Sequence, residues 1–265
     1  MYLPNALTIA GFDPSGGAGV LADARTFASF GYRASAAITS ITFQNDTAAT
    51  GAVHHGAAVV RGQLESLLAE FQFACAKTGM LPTREVVHEV TLIFRDSELP
   101  APVVDPVMIS SSGLRLMEAD ALAEFVAELL PLARVVTPNI PEAEALSGLS
   151  ITSEPEMLTA AKRIRSLGAR AVLIKGGHLG QNAEGSRQTA EVSEAIDVLD
   201  NEGTVMVLRA PFIPGANIRG SGCMLSAAIA AGLGQGMSLE DSVRQAKEFV
   251  LNALRKTSQS QNQKR

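Results

Sequence analysis

Cysteines and long apolar runs are both scarce in this chain. Only two cysteines occur in 265 residues, Cys75 and Cys223, whereas a disulfide framework needs more of them and usually a secretory route. The N-terminus lacks the basic segment and the apolar stretch of a signal peptide. No apolar run approaches the length needed to cross a bilayer. We therefore expect a cytoplasmic protein with reduced thiols and no membrane partner.

The charge balance excludes a further class of partner. The net charge is −5, and no basic run could follow a phosphate backbone, so we do not expect a nucleic-acid partner. Apolar residues make up 46 % of the chain and charged residues 18 %, which is enough apolar surface for a sizeable core. We expect one domain over residues 1–256 and a disordered polar tail over 257–265.

Apolar segments of strand length alternate with segments of helical periodicity. This alternation predicts βαβ units, a mostly parallel sheet and helices on both of its faces. Two adjacent runs near the end, separated by the turn 200–203, predict an antiparallel hairpin. The predicted strands cover 6–11, 35–43, 74–80, 101–108, 134–137, 171–175, 194–199 and 204–210. The predicted helices cover 21–30, 59–71, 84–94, 118–130, 154–167, 221–233 and 239–254.

The segment Gly220-Ser221-Gly222 lies immediately before a helix of small residues. Glycines let consecutive N–H groups point at one spot, and the helix N-terminus adds partial positive charge, so the segment predicts an anion hole for a transferring phosphoryl group. Cys223 falls in the first turn, where a thiol pKa tends to be lowered and a thiolate could accept a hydroxyl proton. The alternative is a plain helix cap followed by a small buried cysteine.

Other polar residues follow predicted strands, at the edge where α/β proteins bind ligands. The glycine-rich turn 11–19 is one, although it fits neither G-x-G-x-x-G nor a Gly-Lys-Ser/Thr motif. Asp105 and Lys175 lie at two further strand ends. Asn139 and Glu142 begin a helix three residues apart and could orient water bound to Mg²⁺. Taken singly, Asp105, Lys175, Asn139 and Glu142 are more often cap or turn residues, and the glycine-rich turn can serve as a tight turn and as a ligand site.

Taken together and in order, these segments resemble the hydroxymethylpyrimidine kinase family of the ribokinase-like superfamily. The resemblance covers about residues 6–255 and implies a three-layer α/β sandwich. It is carried by TIAGFDPSGGAGVLAD at 8–23, ITSITFQN at 38–45, KTGML at 77–81, VDPVM at 104–108, TPNIPEAE at 137–144 and IKGGH at 174–178. It implies ATP-dependent phosphorylation of 4-amino-5-hydroxymethyl-2-methylpyrimidine, and of its monophosphate, in thiamine biosynthesis.

The resemblance also implies site roles. Gln44 would bind the aminopyrimidine edge, since an amide both donates and accepts. The ring pocket would be formed by Ala18, Met80 and Val107, with Asp23 nearby. Gly220, Ser221 and Gly222 would form the anion hole, and Cys223 would be the catalytic base. Asp105, Asn139, Glu142, Lys175 and Arg219 would bind ATP and its phosphates, with Asp105 and Glu142 acting on Mg²⁺ through water. Family members are commonly homodimers.

Three departures from the family pattern bear on function. Ile218-Arg219 replaces a usual Thr-His, residues 110–113 read Ser-Ser-Ser-Gly instead of Ala-Lys-Ser-Gly, and Phe12 replaces a usual Ser. Arg219 adds a fixed cation beside the predicted anion hole, and a usual Lys is missing at Ser111. The second phosphorylation is therefore an open question. Two alternatives remain, a pyridoxal kinase and a non-catalytic paralogue that binds a pyrimidine.

Overall fold

The computed structural model describes residues 3–45, 47–110, 113–177, 194–213 and 218–262. The strands are β1 Asn5–Phe12, β2 Arg33–Gln44, β3 Ala49–His54, β4 Phe73–Thr78, β5 Val103–Val104, β6 Val135–Val136, β7 Ala171–Gly176, β8 Glu194–Asn201 and β9 Thr204–Pro211. The helices are α1 Gly19–Ser29, α2 Ala57–Leu68, α3 Arg84–Asp96, α4 Ala119–Glu124, α5 Ile140–Ser147, α6 Glu154–Arg165, α7 Ser221–Gly234 and α8 Leu239–Asn262.

These strands form a single sheet in the order β3-β2-β1-β4-β5-β6-β7-β8-β9. In this spatial order, the adjacent strands of β2-β1-β4-β5-β6-β7 pair in parallel. The strands β3, β8 and β9 pair antiparallel with their neighbours. The turn between β8 and β9 uses positive φ at Glu202 and Gly203, the conformation that a tight hairpin needs. The predicted parallel sheet and late hairpin are confirmed.

Helices cover both faces of the sheet, and each face has its own core. Side chains alternate across a strand, so in β7 Val172 and Ile174 pack toward α3, α5 and α6, while Ala171 and Leu173 pack toward α7 and α8. The continuously apolar strands of the sequence are therefore buried on both faces, as expected for a parallel sheet. This arrangement is the predicted three-layer sandwich.

Four details differ from the prediction. Strand β3 is absent from the predicted strands, because its residues are mostly small or exposed and lack an apolar alternation. The strand predicted over 101–108 is reduced to Val103–Val104, since the chain turns at Asp105. The helix predicted over 118–130 changes at Phe125–Leu129 to a wider π-helical turn. Helix α8 continues to Asn262, eight residues beyond the end predicted at residue 254.

Among the described residues, no helix combines the length and the apolar character that crossing a membrane would require. His178, Ser111 and Ser112, which belong to the motifs described above, lie outside the described residues.

Candidate active site

A cavity of about 170 Å³ opens where the parallel strands end and α7 begins. The carboxyl ends of β1, β4, β5, β6 and β7 converge there, as ligand sites in open α/β sheets do. Predicted residues that line it are Ala18, Gln44, Met80, Asp105, Val107, Asn139, Glu142, Lys175, Arg219, Gly220, Gly222 and Cys223. The structure does not bring Asp23 or Ser221 into this wall, so the expected contact of these two residues with a ligand is not supported.

The start of α7 is shaped by two glycines. Gly220 has φ +77°, and a Cβ there would lie 2.2 Å from the Gly17 carbonyl oxygen. A Cβ on Gly222 would lie 3.1 Å from Lys175 Nζ and 3.8 Å from Asp105 Oδ2. The backbone of α7 thus approaches a cation as closely as glycine allows. Amide groups, helix dipole and ammonium together favour an anion at this point.

Lys175 and Asp105 form the ionic centre of the site. Lys175 Nζ lies 2.8 Å from Asp105 Oδ1, and the Thr137 hydroxyl donates to the same oxygen at 3.3 Å. Burial by itself would raise the pKa of Asp105, but the charges of Lys175 and then Lys77 outweigh it and hold that pKa below its ordinary value. Asp105 is therefore a carboxylate at neutral pH.

Glu142 and Asn139 form a capping box at the start of α5. The Asn139 side chain accepts from Glu142 N at 2.9 Å, and the Glu142 carboxylate accepts from Asn139 N at 2.8 Å. The alternative interpretation, a capped helix start, is thus correct, and Glu142 also lines the cavity. Burial raises the pKa of Glu142 to about 7 although Lys175 lowers it. A further nearby cation would favour its ionised form.

The oxygen ligands present suit Mg²⁺ held largely by water and phosphate. Asp105 and Glu142 both line the cavity, and Mg²⁺ prefers one or two carboxylates together with waters and phosphate oxygens. No cluster of three or more His, Cys, Asp or Glu side chains suited to a metal occurs in the part of the chain that the structure describes. The residues fit a magnesium ion bound with its substrate rather than a fixed protein cage.

Lys77 is a site residue that sequence reasoning left without a role. It lines the cavity, yet its side chain is fully buried, and Nζ lies 2.8 Å from Asp23 Oδ2. The Thr8 hydroxyl donates to the same Asp23 oxygen at 2.6 Å. Burial alone would lower the pKa of Lys77, but Asp23 outweighs burial and raises it. The sequence signal that could have identified Lys77 is its place in KTGML, near the carboxyl end of the buried strand β4.

Cys223 does not have the lowered pKa expected from its position in the first turn of α7. Removal of the thiol from water raises its pKa to about 11, although Lys77 and a hydrogen bond from Gly19 N–H act in the opposite direction. The expectation of a ready thiolate is therefore wrong. Burial outweighs the helix terminus here because the surrounding protein replaces the water that would solvate the charge.

The opposite end of the cavity suits a flat ring. Gln44 ends β2, and Ala18 lies beside Gly19 at the start of α1. Met80 packs so closely on β1 that a Cβ on Gly11 would lie 3.0 Å from its sulfur. The apolar residues Val107, Ile109 and Leu116 complete this end, which the sequence predicted only in part. An amide above apolar walls is a usual arrangement for a heteroaromatic ligand.

Arg219 is engaged in an ion pair and is not an open phosphate-binding cation. Its Nη2 lies 2.9 Å from Asp13 Oδ2, and the Asp13 side chain is almost fully buried. Arg219 also contacts the Ser15 hydroxyl and the Asn45 carbonyl. The positive charge that the sequence placed beside the anion hole is thus largely compensated by Asp13.

An anion hole, a cationic centre and a ring pocket on a mostly parallel three-layer sandwich define a ribokinase-like small-molecule kinase. The profile described as phosphomethylpyrimidine kinase matches residues 13–265. The chain belongs to the phosphomethylpyrimidine kinase family, which confirms the predicted enzyme class and its place in thiamine biosynthesis.

Individual relatives agree with this assignment. The hydroxymethylpyrimidine/phosphomethylpyrimidine kinase of Rhizobium meliloti (strain 1021) is 41 % identical over 250 residues, which cover 94 % of this chain and 90 % of the relative. The thiamine biosynthetic bifunctional enzyme TH1, chloroplastic, of Arabidopsis thaliana is 40 % identical over 95 % of this chain, which spans only 47 % of that longer protein. Among solved structures, the pyridoxal kinase of Staphylococcus aureus in complex with AMP-PCP superposes with a TM-score of 0.84 at 32 % identity, covering 96 % of this chain and 89 % of the other.

Proposed function

We propose that the protein transfers the γ-phosphoryl group of ATP to the hydroxymethyl group of 4-amino-5-hydroxymethyl-2-methylpyrimidine, and then phosphorylates the resulting monophosphate. The observation that carries the proposal is that both sets of proposed site residues line one cavity. Gln44, Ala18 and Met80 share it with Gly222 and Lys175, and a Cβ on Gly222 would lie 3.1 Å from Lys175 Nζ. A ring held in the pocket would present its hydroxymethyl group to a phosphate held at α7.

The ring would be selected by polar and apolar contacts of different kinds. Gln44 would exchange hydrogen bonds with the 4-amino group and the adjacent ring nitrogen, since its amide offers both a donor and an acceptor. Ala18, Met80 and Val107 would enclose the ring faces. Asp23, which lies behind the wall, would act only through the Lys77 ammonium that it holds.

The transferred phosphoryl group would be stabilised at the start of α7. The hydroxymethyl oxygen forms a bond to the γ-phosphorus, the bond from that phosphorus to the bridging oxygen breaks, and ADP leaves. Backbone N–H groups at Gly220 and Gly222, with Lys175, would face the charge on the γ-phosphate oxygens. Asp105 and Glu142, positioned in part by Asn139, would hold Mg²⁺ through water. Magnesium bound there neutralises phosphate charge.

The hydroxyl proton would leave to the thiolate form of Cys223, which would become the neutral thiol. Because the pKa of this thiol is raised to about 11, the thiolate is scarce at neutral pH. Phosphoryl transfer tolerates this scarcity, since its transition state is loose and asks little of a base. Positioning and charge stabilisation would then supply most of the rate.

The test is ATP consumption with Mg²⁺ and hydroxymethylpyrimidine, with products identified by mass spectrometry. Formation of the monophosphate and then the pyrophosphate supports both steps. Monophosphate alone refutes the second transfer. No product, combined with thermal stabilisation by the pyrimidine, refutes the kinase and favours the non-catalytic pyrimidine-binding alternative.

Pyridoxal is a second candidate substrate, because the S. aureus pyridoxal kinase has a TM-score of 0.84 with this chain. Pyridoxal lacks the 4-amino group that Gln44 would contact. We expect Gln44→Leu to reduce kcat/KM strongly for the pyrimidine and little for pyridoxal. Equal losses for both rings would show that Gln44 does not read the amino group.

We also propose a cytoplasmic homodimer. Ile41, Phe43 and Val53 are 41–52 % exposed, and the pairing of Ile41 with Val53 places all three on one face of the β2–β3 ribbon. An exposed apolar patch of this kind suits a second copy of the chain. Light scattering would show a dimer for the wild type and a monomer for Phe43→Glu. A wild-type monomer would refute the dimer.

A further inference from the structure

Arg219 connects three segments that are far apart in the sequence. It directly precedes Gly220 at the start of α7. Its Nη2 donates to Asp13 Oδ2 at 2.9 Å and to the Ser15 hydroxyl, both in the turn after β1, and its Nη1 donates to the Asn45 carbonyl just after β2. One guanidinium therefore joins the loops that follow β1 and β2 to the N-terminus of α7. The planar fork of arginine suits such a multiple contact, which a lysine could not reproduce.

Asp13 organises the turn that Arg219 grips. Its Oδ1 accepts from Ser15 N at 2.9 Å and from the Ser15 hydroxyl at 2.7 Å, and its Oδ2 accepts from Ala18 N at 2.8 Å. The guanidinium lies against this turn so closely that a Cβ on Gly17 would be 2.6 Å from Nη2. The Asp13 carboxylate is nearly fully buried. Loss of the guanidinium would therefore leave a buried charge without its main cationic partner.

Each joined segment carries one wall of the cavity. The turn after β1 carries Ala18, the end of β2 carries Gln44, and the start of α7 carries Gly220. We propose that Arg219 is a positioning residue that locks the ring pocket to the anion hole, so that both halves of the cavity keep their relative positions. This proposal rests on the proposed function, because it assigns the two halves to the ring and to the phosphate.

The ion pair also determines which substrates depend on Arg219. Since Asp13 compensates the guanidinium charge, Arg219 supplies little net attraction for the phosphate of a monophosphate substrate. Its effect is on the shape of the pocket, which the alcohol and its monophosphate share. Substitution should therefore weaken the binding of both pyrimidines by a similar factor.

The proposal is tested with Arg219→Met, Arg219→Lys, Asp13→Asn and the double variant Arg219→Met/Asp13→Asn. Hydrogen exchange of residues 13–18, measured without any ligand, reports the order of the turn directly. Steady-state kinetics give KM for the alcohol, the monophosphate and ATP. The matched control is Arg84→Met, which removes a remote, exposed ion pair with Glu124.

We expect Arg219→Met to speed exchange in 13–18 and to raise KM for both pyrimidines about tenfold, the effect of losing one charged hydrogen bond. KM for ATP should change little, Arg219→Lys should recover part of the loss, and the double variant should be no worse than the poorer single variant. Unchanged exchange and KM would overturn the proposal. The proposal would also be overturned if Arg219→Met raised KM for the monophosphate only while Asp13→Asn kept the wild-type KM values. That pattern would identify Arg219 as a direct ligand of the substrate phosphate. If the wild type phosphorylates neither ring, the proposed function fails, while the exchange measurement still decides the positioning role.

Discussion

The raised pKa of Cys223 makes the pH dependence of turnover a direct test of its role. With a pKa of about 11, the thiolate fraction is about 10⁻⁴ at pH 7 and rises about tenfold with each pH unit. If this thiolate accepts the hydroxyl proton, kcat/KM of the wild type should rise by a comparable factor up to about pH 9. Because a loose transition state asks little of a base, Cys223→Ala should remove this slope and lower turnover at pH 9 by about 10²-fold, the lower end of the usual contribution of a general base.

The assay is ADP release at saturating ATP between pH 6.5 and pH 9.5 with hydroxymethylpyrimidine. Cys75→Ala is the matched control. Cys75 is buried in β4 and does not belong to the cavity lining, and burial also raises the pKa of its thiol, to about 12. In the Cys75→Ala background, the rate of alkylation by iodoacetamide against pH measures the Cys223 pKa itself. A value near 8 would refute the argument from burial. Full activity of Cys223→Ala would refute the role as base.

Three further predictions concern other parts of the site. Gly222→Ala places a methyl group 3.1 Å from an ammonium nitrogen and should lower kcat about 10²–10³-fold, whereas the control Gly62→Ala, with open space around it, should keep kcat and gain about 1 kcal/mol of stability. Lys77→Met should cost about 3–5 kcal/mol in urea unfolding because Asp23 is left buried without its cation, and adding Asp23→Leu should recover most of it. If the single and double variants are equally unstable, the ion pair is not the cause. Burial raises the Glu142 pKa from 4.5 to about 7, so the native state holds a proton that the unfolded chain has lost, and wild-type stability falls as pH rises through this window. The free energy of unfolding of Glu142→Gln minus that of the wild type should therefore grow by about 3 kcal/mol between pH 4.5 and pH 7.5. A difference that stays constant with pH would contradict the raised pKa of Glu142.

The sequence predicted the features that depend on neighbouring residues. The alternation of apolar periods indicated the sheet and its helices, and the turn before Thr204 indicated the hairpin. Gly220 and Gly222 were recognisable because a turn into a helix of small residues needs glycine at such positions. Asp105 and Lys175 were found because each follows a strand whose end is readable from its apolar run.

The remaining features depend on contacts between distant parts of the chain. Strand β3 forms because the edge of β2 is open to it, and its own residues carry no strand pattern. The charge of Arg219 is compensated by Asp13, 206 residues away. Burial in the folded protein raises the pKa of the Cys223 thiol, although its local position at a helix N-terminus favours a low pKa. In each case tertiary burial or pairing overrides the local signal.

The construction of the anion hole from main chain has an evolutionary consequence. Amide groups at the start of α7 do not depend on which side chains follow, so mutation cannot easily change how the phosphoryl group is handled. The proposed ring pocket is instead lined by side chains such as Gln44, Met80 and Val107, which come from three separate places in the sequence. Each of these can be exchanged singly. On the proposed assignment, selection can therefore replace the acceptor alcohol while the transfer chemistry is retained.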